Sequence, residues 1–115
     1  MNIIPILMCK DIDRSITFYT RVLDFEVLNP DEEFPYKLLK REGARLDISS
    51  HDGGIASIVY IEVKNADDLF KKFIQRGLDV SDKSGVDGGP RDQTWDMREF
   101  YVEDPDQNTL RLDKR

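Results

Sequence analysis

Cysteine, histidine and tryptophan each occur once in this 115-residue chain. A single Cys9 excludes an intrachain disulfide framework, and within its apolar N-terminal run it reads as a small buried hydrophobe. With His51 the only imidazole, the chain is poor in the ligands that zinc or iron centres prefer. His51 lies in a polar stretch and reads as a solvated side chain. No apolar run approaches the roughly 20 residues of a membrane span, and no cationic leader precedes one. A cytoplasmic protein without membrane association is therefore expected. Basic residues are also in deficit: 17 Lys and Arg face 23 Asp and Glu, for a net charge of -6 and a pI near 4.7. A nucleic-acid partner, which requires clustered cations, is not expected.

What is present suits one compact domain with its own core. Apolar residues make up 39% of the chain, including six Phe and four Tyr, and 35% charged residues provide a solvated surface. Ile3 to Cys9 reads as a first strand, with Pro5 best placed near an edge. Asp11 or Asp13 can cap a helix over 12–23 whose Ile12, Ile16, Tyr19 and Leu23 share one face. Phe25–Leu28, Pro35–Leu39 and Ala44–Ser49 read as strands, the last two joined across Lys40–Gly43, where glycine suits a hairpin.

After His51-Asp-Gly-Gly54, a candidate linker, the same order begins again. Ser57–Val63 is a strand, and Ala66–Arg76 is a helix with Leu69, Phe70, Phe73 and Ile74 on its apolar side, ended by Gly77. Leu78–Ser81 is a short strand and 82–94 a long polar loop. Met97–Val102 and Thr109–Asp113 are two final strands. A faint local match supports the repeat, with Lys10-Asp-Ile-Asp13 against Lys64-Asn-Ala-Asp67. The expectation is an α+β fold of paired β-α-β-β-β modules, 1–52 and 55–115, forming curved sheets around a cleft within a single domain.

Strand alternation then sorts side chains by face. Ile58, Tyr60 and Glu62 oppose the helix side of their strand. Arg45, Asp47 and Ser49 do so on an earlier strand, Thr109, Arg111 and Asp113 on the last, and Glu99 and Tyr101 beside it. An inward Arg111 paired with Asp47 or Glu99 would make an internal salt bridge. Tyr60, Tyr101 and Trp95, with Phe34 and Tyr36, would add flat stacking surface for an aromatic or heteroaromatic ligand. Trp95 serves equally well as a core or interface anchor. Asp104, Asp106 and Asn108 have the spacing of a calcium loop, but Thr109 stands where a glycine is needed and Arg115 where a glutamate is needed. The segment reads instead as a proline-fixed turn with Asp and Asn bonding to nearby amides.

Two stretches resemble a known family. Asp11-Ile-Asp-Arg-Ser-Ile-Thr-Phe-Tyr-Thr-Arg-Val-Leu-Asp-Phe25 is similar to the opening of the vicinal-oxygen-chelate superfamily, with Asp24 in place of a glycine. The run through Trp95, Arg98, Glu99 and Phe100 to Asp104-Pro105 resembles that family's last hairpin, most closely its bleomycin-resistance branch. The resemblance implies a cleft under the concave sheets, homodimers, often with modules exchanged between chains, and metal ligands at four places. Those places here are Ile4, Asp47, Ile58 and Arg111, so only Asp47 can bind a divalent ion. No metal and no other cofactor is expected. The implied activity is sequestration of a small aromatic or cationic organic ligand, with Trp95, Tyr60, Tyr101, Asp47, Glu62, Glu99, Arg111, Phe34 and Tyr36 lining the site. A glyoxalase-like or dioxygenase-related enzyme acting through the cleft carboxylates is the alternative. Elemental analysis of protein purified without chelator is expected to find well below one metal per chain. A stoichiometric metal lost in Asp47→Ala would overturn this.

Overall fold

The computed structural model describes residues 1–33, 35–50, 54–80, 89–92 and 98–114. Phe34, His51, Ser81, Trp95, Met97 and most of the 82–94 loop lie outside the described residues. The chain order is β1 (Ile6–Cys9), α1 (Ile12–Thr17), a π-helical turn (Phe18–Val22), β2 (Glu26–Val27), β3 (Tyr36–Arg41), β4 (Ala44–Ser50), β5 (Ile58–Glu62), α2 (Ala66–Gln75), β6 (Arg91–Asp92), β7 (Arg98–Glu103) and β8 (Thr109–Lys114). The strands form two four-stranded sheets, β1-β4-β3-β2 and β5-β8-β7-β6. In each, the first strand runs parallel to the last strand of its module and the remaining pairs are antiparallel. The repeated β-α-β-β-β order read from the sequence is the observed one.

Both helices begin where the sequence provides a cap. The Asp11 carboxylate accepts from the amides of Asp13 and Arg14 at 3.0 and 3.2 Å, so Asp11 and not Asp13 is the cap. Asn65 accepts from the Asp68 amide at 3.1 Å, and Asp67 and Asp68 lie at the positive end of the α2 dipole. The 12–23 helix is not α-helical throughout. Its second half widens, with the Leu23 amide bonding back to Phe18 O at 3.3 Å. Tyr19 within it and Leu23 at its end are both fully buried. Asp24 then turns the chain at φ 60, the left-handed conformation a glycine would adopt without strain and Asp tolerates.

Four further expectations are corrected. Ile3 to Pro5 precede β1 rather than belonging to it; Pro5, with no amide to donate, offers its carbonyl to Asp47 N at 2.9 Å. The first hairpin turns on Glu42 and Gly43 alone, since Lys40 and Arg41 remain in β3. Its positive φ falls on Glu42 (φ 52), not on the glycine. Leu78 is no strand residue: its amide closes onto Phe73 O at 2.9 Å and its buried side chain plugs the helix end, beyond Gly77 at φ 103. The short strand of the second module is β6, paired with β7 by Arg91 against Glu99 and Asp92 against Arg98. Ile74 lies off the apolar face of α2 and is exposed.

One apolar cluster joins Leu7, Leu39, Leu46 and Ile48 of the first sheet to Phe100, Val102, Leu110 and Leu112 of the second. Tyr19, Leu23 and Phe73 of the helical segments belong to it as well. Polar bonds at the β7–β8 turn reinforce this union. Asp104, 6% exposed, accepts the amides of Asp106 and Asn108 on one oxygen, and the Tyr19 hydroxyl (2.8 Å) and Asn108 Nδ2 (2.9 Å) on the other. Asn108 also donates to Met8 O at 3.0 Å and accepts from Ser57 N at 2.9 Å. Asp106 accepts from Lys10 N, Arg14 Nη2 and Ser15 Oγ at 3.0–3.1 Å. The turn expected to bond nearby amides does so, and it also ties the end of β1 and α1 to the start of β5.

Asp104→Ala strands several buried donors at once and is expected to cost about 3 kcal/mol or more. Tyr19→Phe, which removes one donor, should cost about 1–2 kcal/mol. Urea midpoints compare the two, and an Asp104→Ala variant as stable as Tyr19→Phe would contradict the tie.

Candidate functional site

On the outer face of the second sheet, the strand register lays chemistry out in rows. Arg111 of β8 stands opposite Tyr60 of β5 on one side and Tyr101 of β7 on the other. Its guanidinium carbon lies 5.2 Å from the Tyr60 ring centroid and 5.5 Å from that of Tyr101, so the arginine fills the space between two aromatic rings. Arg111 Nη2 also donates to both oxygens of Glu99 at 3.1 and 3.2 Å, and the Tyr101 hydroxyl donates to Glu99 at 2.7 Å. Glu99 is 1% exposed. Arg111 Nε is buried with no hydrogen-bond partner among the described residues. In the next row, Asp113 faces Glu62 and Glu99.

The first sheet carries a counterpart. Asp47 of β4, 6% exposed, accepts from Arg45 Nη2 at 2.9 Å and from the Tyr36 hydroxyl at 2.8 Å. Each module therefore holds one buried carboxylate clamped by an arginine and a tyrosine. Of the two partners expected for Arg111, Glu99 is the observed one and Asp47 is not. Among the described residues, no hydrogen bond or ion pair joins the Tyr36–Asp47–Arg45 cluster to that of Tyr101, Glu99 and Arg111. Tyr60 and Glu62 also line a cavity of about 800 Å³ with Phe25, Leu46, Leu69 and Phe73, and Arg45 of the first cluster lines it too. That cavity has no signature in the sequence, because its walls come from both modules. Trp95 and Phe34, the other expected site residues, lie outside the described residues.

The face assignments follow the strand alternation. Leu46, Ile48, Phe100, Val102, Leu110 and Leu112 are buried on the helix side, and Ile58 is 72% exposed opposite. Arg98, from the same hairpin, turns to structure: its guanidinium grips both Asp67 oxygens at 2.8 Å and so fastens β7 to α2. At the four positions that the resemblance connects with metal, Ile4, Ile58 and Arg111 offer no ligand. Among the described residues no group of three or more His, Cys, Asp or Glu side chains could hold a metal ion.

With this geometry in hand, the chain can be placed. It belongs to the glyoxalase/bleomycin resistance protein/dioxygenase superfamily, whose family model matches residues 3–112. Its fold is that of solved bleomycin proteins. A bleomycin-binding protein complexed with bleomycin superposes with a TM-score of 0.83 at 20% identity, over 100% of this chain and 98% of the other. A bleomycin resistance determinant encoded on transposon Tn5 gives 0.83 at 21% identity, with coverage of 100% and 98%. The bleomycin-binding protein of Streptomyces verticillus, complexed with copper(II)-bleomycin, gives 0.78 at 25% identity, with coverage of 97% and 93%. Among curated protein sequences none matches significantly. No helix among the described residues is long and apolar enough to cross a membrane.

The tyrosines have a pH signature. Hydrogen bonding to Asp47 raises the Tyr36 phenol above its ordinary value, and hydrogen bonding to Glu99 raises that of Tyr101. Burial, with Asp104 alongside, raises Tyr19 well above it. The folded state thus holds these protons more tightly than the unfolded chain, whose tyrosines titrate near about 10. The resulting stability is complete below that pH and is lost as pH rises through the folded values. Tyrosinate absorbance of the native protein should lag behind that of the unfolded chain. Tyr19→Phe should lose less stability than the parent between about pH 9 and pH 11; an equal loss would contradict the assignment.

Proposed function

We propose that this protein binds a small aromatic or cationic organic ligand without transforming it, as a metal-free binder of the bleomycin-resistance type. The observation that carries this reading is the state of the two carboxylates facing away from the core. Asp47 and Glu99 are each held by an arginine and a tyrosine hydroxyl. A general base needs a carboxylate free to take a proton, and neither is free of its cation. The enzymatic alternative loses its two best candidates, while the aromatic rings, the polar clusters and the acidic chain remain suited to binding. The family and the bleomycin-binding relatives support the same class of ligand.

The homodimer belongs to this reading. Ile6 and Ile58 are exposed, together with Tyr60, Ile3 and Ile55, and β1 and β5 are both sheet edges. Exposed branched residues on open edges favour coverage by a second copy, with the cleft completed at the interface. Light scattering should give about twice 13.4 kDa.

Calorimetry or tryptophan quenching against bleomycin and a panel of cationic aromatic amines tests the function. A micromolar or tighter complex is expected, with the ligand recovered unchanged by mass spectrometry and binding weakened by Trp95→Ala. Ligand consumption that stops in Asp47→Asn or Glu99→Gln would transfer the site to catalysis.

A further inference from the structure

Binding a cation can rest on two different physical effects. A quaternary ammonium is held by the faces of aromatic rings. An ammonium or guanidinium that carries N–H groups is held by oxygen lone pairs. The two sheets carry evidence on which effect is available.

The ring pair that would form an aromatic cage is already occupied. Tyr60 and Tyr101 flank Arg111 at 5.2 and 5.5 Å, and Glu99 holds the arginine in place through two bonds. A second cation laid on the far side of either ring would face the Arg111 charge across it. Cation–π capture at this pair is therefore spent on the protein's own side chain.

The first sheet offers the other effect. A phenol has one proton to donate and lone pairs to accept with. Tyr36 has committed its proton to Asp47 at 2.8 Å, while Arg45 takes the other Asp47 oxygen at 2.9 Å. The carboxylate already accepts one bond on each oxygen and is buried, whereas Tyr36 is only partly buried. What it has left to offer a ligand is an acceptor. Donation to a carboxylate polarises the phenol oxygen and strengthens it in that role. Tyr101 is less suited, because Arg111 acts on its oxygen through a hydrogen bond as well as through charge, whereas Arg45 acts on Tyr36 through charge alone.

We infer that Tyr36 Oη is a specificity-determining acceptor that selects ligands whose cationic group bears N–H, such as primary ammonium, amidinium or guanidinium, against quaternary ammonium. This rests on the small-ligand reading above and names the ligand class for it. It also reverses the discrimination that an aromatic cage would make.

A matched pair of probes tests it: tryptamine and N,N,N-trimethyltryptammonium, which share ring and charge but differ in N–H groups. Chemical-shift titrations of the labelled protein measure millimolar as well as tighter binding. Tryptamine is expected to bind about tenfold or more tightly, the scale of one hydrogen bond to a charged group. Tyr36→Phe, which keeps the ring and removes the oxygen, should bring the two affinities together by weakening tryptamine alone. Equal affinities in the parent protein, or a preference for the quaternary probe, overturn the inference and leave the small-ligand reading intact. A tryptamine preference that survives in folded Tyr36→Phe overturns the assignment to Tyr36. Saturable binding of neither probe sinks the inference together with the reading it rests on. The comparison in the parent protein decides the ligand class even should Tyr36→Phe fold poorly.

Discussion

A single buried carboxylate, Asp104, governs how the two halves of this chain meet. It accepts four hydrogen bonds, and Asn108 and Asp106 extend the network to β1, α1 and the start of β5. Burying an ionised group is costly unless every lone pair is satisfied. That requirement makes the turn intolerant of alternatives: the modules must dock so that Tyr19, Met8 and Ser57 reach it together. The apolar cluster supplies non-directional adhesion between the sheets, and the turn supplies the direction. The same segment invites comparison with a calcium loop, but its oxygens are directed inward at amides and a phenol and are already occupied.

The two outer faces follow a similar economy. Each puts a carboxylate on a strand and then neutralises it locally, with Arg45 and Tyr36 on one sheet and Arg111 and Tyr101 on the other. Arg111 occupies one of the places that the resemblance connects with metal, and a fixed side-chain cation stands there. A guanidinium differs from a metal ion in being planar, with several N–H donors in fixed directions. Here it stacks between two rings and reaches Glu99 at once.

Several features were legible in the residues for clear physical reasons. Caps, alternation and helical spacing are local, so the helix starts, the buried faces of β4, β7 and β8 and the repeated order could all be read directly. Errors clustered where local signals compete. Lys40 and Arg41 carry no strand preference but stay in β3 because they pair with Arg45 and Ala44 of β4. Glycine at 43 drew attention from Glu42, which bears the left-handed backbone. Leu78 has the look of a strand residue, yet its apolar side chain is worth more plugging the end of α2. Its counterpart strand, β6, consists of two polar residues that only the ladder with β7 defines.

The amino-acid sequence by itself determined which residues share a face and that the charge balance is acidic. These follow from residue identity and the fixed periods of strand and helix. Tertiary structure alone decided the partners. Asp47 and Glu99 were equal candidates for Arg111 until the β7–β8 register put Glu99 within reach and β4 gave Asp47 its own arginine. Likewise, only docking of the modules could turn the Asp104 turn from a local bend into the link between them, because Tyr19 and Asp104 are separated by 85 residues and meet only once the core has formed.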